Sequence, residues 1–308
     1  MEKVIVILGP TASGKTKISI SLSKELNGEI VSADSMQVYR HLDIGTAKPT
    51  KDEMSGVIHH MIDIMEPNEK NSVATYKKEA IKCIDNIIAN SKLPIIVGGT
   101  GLYINSLVSN IDFSESTIDT DLRERLKEEA LAFGNEYIHQ KLKKIDPISA
   151  ERIHPNDIKR IIRAIEVYKH TNKTMAQHQE ISKKILPKYD FKLIGLTMDR
   201  ERLYERINIR VDEMLRNGLV SEVRKLLNEG FSRESTAMQA IGYKEIVSYL
   251  DGGVSLEDAI FSIKRESRRY AKRQLTWFRR MENVFWIDVD QYNEEKEILK
   301  IIKYFIAT

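Results

Sequence analysis

The sequence predicts an α/β protein, a doubly wound and mostly parallel sheet interrupted by an all-helical subdomain. Three observations carry this. Short β-branched apolar runs alternate with segments of helical spacing, the pattern of parallel strands joined by crossover helices. The first such run ends in a glycine-rich loop that opens a helix. From about Asp119 to Lys184 only helical periodicity is found, with strands before and after it.

Val4 to Leu8 is apolar, mostly β-branched and stops at Gly9, as a buried parallel strand does. Lys15 to Leu26 places Ile18, Leu22 and Leu26 on one helical face and ends at Asn27-Gly28. Glu29 to Ala33 is a second strand. After a polar stretch, Tyr76 to Ala89 reads as a helix, Leu93 to Val97 as a third buried strand, and Gly98-Gly99-Thr100-Gly101 as a turn into a helix over Leu102 to Val108. Strands resume at Lys192 to Thr197 and Val284 to Ile287. The helical block shows the repeats Leu122, Leu126, Ala130, then Ile138, Leu142, then Ile158, Ile161, Ile162, Ile165. It is read as an insertion over 116–188 between core segments 1–115 and 189–308, hinged at the polar run Asp112 to Thr120 and at Leu186-Pro187-Lys188. No internal repeat or low-complexity tract is present.

Hydrophobic residues at 42% and charged residues at 30% fit a water-soluble globular chain. No run of 18 apolar residues exists, so no membrane span is expected. Met1-Glu2-Lys3 leads through five apolar residues straight into Gly9, too short for a secretory leader. The lone Cys83 excludes an intramolecular disulfide and fits a reducing compartment, as a small buried hydrophobe beside Ile81, Ile84 and Ile88. The expectation is a cytoplasmic monomer. The net charge of +3 hides an asymmetry. From Lys264 to Arg280 eight bases face one acid, Glu266, which puts +7 in that stretch and −4 in the rest. Such a helix suits a polyanionic partner.

Gly9-Pro10-Thr11-Ala12-Ser13-Gly14-Lys15-Thr16 has the spacing G-x-x-x-x-G-K-[ST] between a strand and a helix, which makes the fold P-loop NTPase-like. The glycines let backbone N–H groups turn inward around phosphate oxygens, and the helix that follows adds its positive end. Lys15 supplies a point charge and Thr16 a hydroxyl for Mg²⁺. Alone, the loop suggests ATP or GTP, and kinases, nucleotidases and other transferases all use one. Asp34-Ser35-Met36-Gln37 follows the second strand, where residues face the ligand crevice. Asp34 is there a base or metal partner, or the cap of a local turn. Where many P-loop enzymes carry a metal-binding acid after a strand, Gly98 to Gly101 offers glycines and the Thr100 hydroxyl.

In the helical block, His154-Pro155-Asn156-Asp157 starts a helix whose Lys159, Arg160 and Arg163 lie off the apolar stripe, either as a solvated basic face or as phosphate contacts. Arg123 reads as a phosphate contact or as one half of a local charge pair. Near the C-terminus, Ile260, Ile263, Ser267, Tyr270, Gln274 and Trp277 share one side and are expected to pack inward. Lys264, Arg268 and Lys272 form one outward row and Arg265, Arg269 and Arg273 another, an arrangement that favours a phosphate backbone. His59-His60 has no metal-site spacing, since adjacent side chains diverge in a strand.

These residues resemble one family, the bacterial tRNA dimethylallyltransferases, also called tRNA isopentenyltransferases. The resemblance runs over nearly the whole chain. It rests on Gly9 to Thr16, Asp34 to Tyr39, Gly98 to Tyr103, His154 to Glu166, Ala240-Ile241-Gly242-Tyr243-Lys244-Glu245 and Tyr270 to Arg279. Ile165 stands where a leucine is usual. The resemblance implies transfer of a dimethylallyl group from dimethylallyl diphosphate to N6 of adenosine 37, in tRNAs reading codons that begin with U. It implies that Gly9 to Thr16 with Mg²⁺ take the diphosphate, with Lys15 and Thr16 its side-chain partners. Asp34 is then the general base and Thr100 contacts the amine or the bridging region. Asp34, Ser35, Met36 and Gln37 meet a flipped-out base. Arg123, Lys159, Arg160, Ile161, Ile162, Arg163, Lys272 and Arg273 lie on the tRNA side. Two alternatives share the architecture: a small-molecule P-loop kinase, and an enzyme that prenylates free adenine nucleotides.

Overall fold

A computed structural model describes residues 1–109 and 119–307, those at 179, 183 and 184 by backbone alone. The chain divides into two compact units, Met1–Asn105 with Tyr189–Thr308, and Ser106–Lys188. Of the two hinge segments expected from the sequence, 186–188 ends the second unit, and 112–120 lies up to residue 118 outside the described residues.

The first unit begins β1 (Lys3–Leu8), α1 (Lys15–Glu25), β2 (Gly28–Ala33), a one-turn α2 (Lys51–Met54), β3 (His59–His60), α3 (Val73–Ala89) and β4 (Leu93–Gly98), and α4 (Gly101–Val108) starts in it and ends in the second. Helices α5 (Thr120–Phe133), α6 (Asn135–Ile145), α7 (Pro147–Arg152), α8 (Ile158–Thr171) and α9 (Met175–Lys184) follow in the second unit. The first unit resumes with β5 (Asp190–Thr197), α10 (Arg200–Arg216), α11 (Leu219–Asn228), α12 (Tyr243–Leu250), α13 (Leu256–Phe278), β6 (Val284–Asp288) and α14 (Glu295–Ala307).

Among the described residues six strands pair in the order β3-β2-β4-β1-β5-β6, every pair parallel. Expected as mostly parallel, the sheet is wholly so. Its strands are apolar on both faces because helices cover both. Ile5, Ile7, Ile95, Val97, Ile194 and Leu196 pack against α1 and α14, while α3 packs on β2 and β4. Burying each such side chain contributes roughly 1.5–3 kcal/mol. The register decides where the site falls. Leu8 lies beside Gly98 and Gly195, and Ala33 beside Gly98, so β1, β2 and β4 end level while β5 runs two residues farther. The segments after β1, β2 and β4 therefore emerge side by side at the carboxyl edge, where open α/β sheets bind ligands.

A second cluster covers that edge. Val38, Tyr39 and Leu42, from the segment after β2, pack with Val211, Val223, Ile246 and Ile263 of α10 to α13. This places α10 and α13 over the strand ends. The helical unit has its own core, built on Leu122, Leu126, Ile138, Leu142, Ile161, Ile162 and Ile165. At one side of it Glu166, fully buried, accepts two hydrogen bonds from Arg123 at 2.8 Å each, one from Arg163 at 2.5 Å and one from the Asp119 N–H at 2.9 Å. Among the described residues no helix is long and apolar enough to cross a membrane.

Candidate functional site

The loop Gly9–Thr16 joins the central strand β1 to α1. Ala12 (φ 64°) and Gly14 (φ 92°) are left-handed, and alternating hands turn successive N–H groups to one side, the form of an anion-binding nest. Ala12 is held in this conformation by burial among Met198, Leu203, Ile207 and Ala271. Gly14 is the N-cap of α1 and supplies no side-chain cap, so the first amides of the helix stay open to a ligand. Thr16 presents an exposed hydroxyl at the start of the same helix. The Lys15 ammonium lies across the loop and donates to the Pro10 carbonyl at 2.7 Å. Burial, and then the cation of Arg210, lowers its pKa to about 7, with the charge of Asp34 opposing them.

Asp34 does cap a local turn: its Oδ1 accepts from the N–H groups of Met36 at 2.9 Å and Gln37 at 3.3 Å. The same residue also lines the cavity above Lys15. Thr100 braces this turn. Its Oγ1 accepts from the Ser35 N–H at 3.0 Å and donates to the Ser35 hydroxyl at 3.3 Å, while its own N–H reaches the Ala33 carbonyl at 3.1 Å. Gln37 is fixed in turn, donating to the carbonyls of Thr46 and Ala47 at 3.3 and 3.4 Å and accepting from the Ser32 hydroxyl at 3.3 Å.

Four further residues complete the site. Gln274, on the inward side of α13 and only 5% exposed, accepts from the Thr11 N–H at 2.8 Å and donates to the Gly99 carbonyl at 3.0 Å. One amide thus ties the phosphate loop to the glycine turn. Gly99 permits this approach, since a Cβ there would lie 2.2 Å from the Gln274 amide nitrogen. Arg210 of α10 faces the same cavity, and burial followed by the neighbouring Arg206 lowers its pKa. His59 reaches it from β3. Its Nδ1 donates to the Val57 carbonyl at 2.9 Å, and since a carbonyl only accepts, Nε2 carries the lone pair. Burial is the main cause that lowers its pKa and keeps the ring neutral. Tyr270 closes the site from α13, its phenol pushed up to about 12 by burial and then by the charge of Asp34.

Two cavities adjoin here. The first, about 100 Å³, is polar and holds Lys15, Thr16, Asp34, His59 and Arg210. The second, about 340 Å³, is lined by Met36, Ile207, Val211, Met214, Ile241 and Ile263. Asp34, Arg210 and Tyr270 belong to both. A phosphate cradle therefore opens, past one carboxylate, into a mostly apolar chamber that also carries Gln239, Ser267 and Arg273.

The basic residues divide differently from their expected rows. Lys264 and Arg268 lie against α10, where Lys264 pairs with Asp212 at 2.6 Å and Arg268 bonds Asn208 at 2.6 Å. Arg265 and Arg269 both engage Glu266. Lys272 and Arg273 remain exposed, and Arg273 also borders the second cavity. Trp277, expected inward, is 38% exposed. In the helical unit Lys159 and Arg160 are exposed, Arg160 with Asp157 3.4 Å away. Arg123 and Arg163 are drawn to Glu166 instead. Ile161 and Ile162, placed on the tRNA side from the sequence, are 0% and 4% exposed, so their side chains belong to the core of their own unit. Among the described residues no cluster of three His, Cys, Asp or Glu could hold a metal, and His60 is engaged by Glu29 at 2.6 Å.

The family model described as IPP transferase matches residues 37–281. A tRNA dimethylallyltransferase of Acetivibrio thermocellus is 56% identical over 308 residues, covering 100% of this chain and 98% of its own length. The full-length tRNA isopentenylpyrophosphate transferase of Bacillus halodurans superposes with a TM-score of 0.73 at 47% identity, over 100% of this chain and 97% of that one. A eukaryotic dimethylallyltransferase acting on tRNA does so with a TM-score of 0.84 at 31% identity, over 100% of this chain and 80% of that one.

Proposed function

The chain belongs to the IPP transferase family, and we propose that it transfers a dimethylallyl group from dimethylallyl diphosphate to N6 of adenosine 37, in cytoplasmic tRNAs that read codons beginning with U, releasing diphosphate. The observation that carries this is the position of Asp34 at the junction of a cationic phosphate cradle and an apolar chamber. A prenyl diphosphate fills both at once, its diphosphate in the cradle and its hydrocarbon tail in the chamber.

The chemistry follows from the groups present. An exocyclic adenine amine is a poor nucleophile, while an allylic carbon tolerates positive charge as its C–O bond breaks. Catalysis therefore requires that the departing diphosphate be neutralised and the amine be relieved of a proton. Lys15, Arg210 and the open amides of α1 meet the leaving group. The N6 lone pair forms the new bond to the prenyl carbon, the C–O electrons leave on diphosphate, and the N6 proton passes to Asp34, on the oxygen not engaged by its own turn. Thr100 acts by holding that turn through Ser35. The donor set suits Mg²⁺ held by the Thr16 hydroxyl and by the diphosphate itself, because Mg²⁺ takes few protein ligands beside substrate phosphates. When bound, it supplies further charge neutralisation at the leaving group. Lys272 and Arg273, and in the helical unit Lys159 and Arg160, are the exposed bases for tRNA phosphates.

The test is incubation with dimethylallyl diphosphate labelled in the prenyl carbon and either bulk tRNA or AMP. Label in tRNA, recovered as the N6-dimethylallyl nucleoside, is expected; label in AMP alone would overturn the acceptor. Asp34→Ala is expected to lower kcat by ~10² or more at nearly unchanged tRNA affinity.

A further inference from the structure

Helix α13 runs from the chamber to the surface, and at its outer end the inward stripe breaks. Gln274 and Phe278 are 5% and 0% exposed, yet Trp277 between them is 38% exposed. The reason lies opposite it. A Cβ on Gly101 would stand 2.4 Å from the indole Cδ1 and 2.7 Å from Cγ and Nε1, so the ring rests on bare glycine backbone. Gly101 directly follows Thr100, whose hydroxyl holds Ser35, and Gly99, whose carbonyl is held by Gln274. Trp277 lies three residues beyond Gln274, about 4.5 Å farther along the helix. The indole therefore covers the outer side of the turn that aims Asp34. Around it Lys272, Arg273, Thr276 and Arg280 are exposed.

A half-exposed indole costs solvation that burial elsewhere would have recovered. Set among bases at the rim of a nucleotide-modifying site, it has a use. An adenine whose N6 must be reached leaves its stack, and the neighbouring unpaired base loses a partner. Single-stranded nucleic acid is held by aromatic platforms inside positive surfaces. On the footing of the tRNA reading above, we propose that Trp277 is the platform on which a base flanking the target adenosine stacks, so that it positions the anticodon loop without touching the reacting atoms.

The chain has two tryptophans, so Trp286→Phe leaves Trp277 as the only indole reporter. That protein is titrated with an anticodon stem-loop RNA carrying 2-aminopurine on one or the other side of the target adenosine. Quenching of both the indole and one of the two 2-aminopurines is expected. Trp277→Leu, which keeps apolar cover on Gly101, should weaken RNA binding about tenfold, abolish the 2-aminopurine response and leave KM for dimethylallyl diphosphate unchanged. Trp277→Phe should restore most of the affinity. The slope of log affinity against log salt should be the same in all three, since no phosphate contact is removed. Wild-type RNA affinity and an intact 2-aminopurine response in Trp277→Leu would overturn the stacking role alone. A wild-type protein that neither binds nor prenylates the RNA would overturn the acceptor reading, and the stacking with it.

Discussion

Replacing Gln274 with leucine separates the phosphate loop from the glycine turn while leaving the helix packed. Leucine nearly matches the glutamine in volume and suits a position only 5% exposed. What it removes is the acceptor for the Thr11 N–H at 2.8 Å and the donor to the Gly99 carbonyl at 3.0 Å. A buried backbone group left without a partner costs roughly 1–3 kcal/mol. Thr11 is partly open to water and Gly99 is buried, so the pair should cost about 3 kcal/mol, lowering Tm by about 5 °C. The catalytic loss should be larger. A shift of about 1 Å between the loop and the Asp34 turn is worth ~10² in rate, so kcat/KM should fall by that order in folded protein. Gln274→Glu separates the two bonds. Its carboxylate still accepts from Thr11 but opposes the Gly99 carbonyl, whereas the protonated acid can donate to it. Activity of Gln274→Glu relative to wild type should therefore recover as pH falls. Steady-state prenyl transfer to tRNA and thermal unfolding measure both effects. A Gln274→Leu protein with wild-type Tm and kcat/KM would refute the bridging role.

Lys15 titrates near 7 in the free protein, and diphosphate favours its ammonium form. Binding should take up a proton, and KM for dimethylallyl diphosphate should rise about tenfold per pH unit above 7 and level off below it; a flat profile from pH 6 to 9 would contradict this. Burial alone would raise the Glu166 carboxyl, but Arg123, the Asp119 N–H and Arg163 together hold it at about 2. Its contribution, about 3 kcal/mol, is present above the unfolded value near 4.5 and lost as pH falls from there to 2, which acid unfolding of wild type against Glu166→Gln can measure. Glu222 accepts from the N–H groups of Asp43, Ile44 and Gly45 at 3.1, 2.8 and 3.2 Å and from the Tyr243 hydroxyl at 2.6 Å. Glu222→Gln puts an amide nitrogen against donors and should cost about 2–3 kcal/mol in urea unfolding, with a higher KM for the prenyl diphosphate as Thr46 and Ala47 loosen. Tyr243→Phe, which removes one of these bonds, should cost about 1 kcal/mol.

The strands were legible because a buried parallel strand requires an unbroken apolar run, and five such runs stand in the sequence within a residue or two of their observed ends. Strand β3 was not, since two edge residues, His59 and His60, carry no period. The phosphate loop was legible because its geometry is local: backbone hands and glycine spacing decide it. Gln274, Arg210 and His59 were not, because their roles depend on which distant segment crosses the sheet edge, as the 263-residue separation of Gln274 from Thr11 shows. A trace existed, since Gln274 is a large polar side chain in a stripe expected to pack inward. Charge was misread for a related reason. The sequence shows the bases of α13 but not that α10 would bring Asp212 and Asn208 against Lys264 and Arg268. Arg123 was weighed against neighbours on its own helix, and its partner Glu166 lies on another.

On the proposed reaction, the loop Gly9–Thr16 holds phosphates that are discarded and never transferred. Dimethylallyl diphosphate labelled separately in its prenyl carbon and in its phosphorus decides this in one reaction with tRNA. The carbon label is expected in tRNA and the phosphorus label in free diphosphate, appearing one for one. Phosphorus label covalently retained on the acceptor would contradict it.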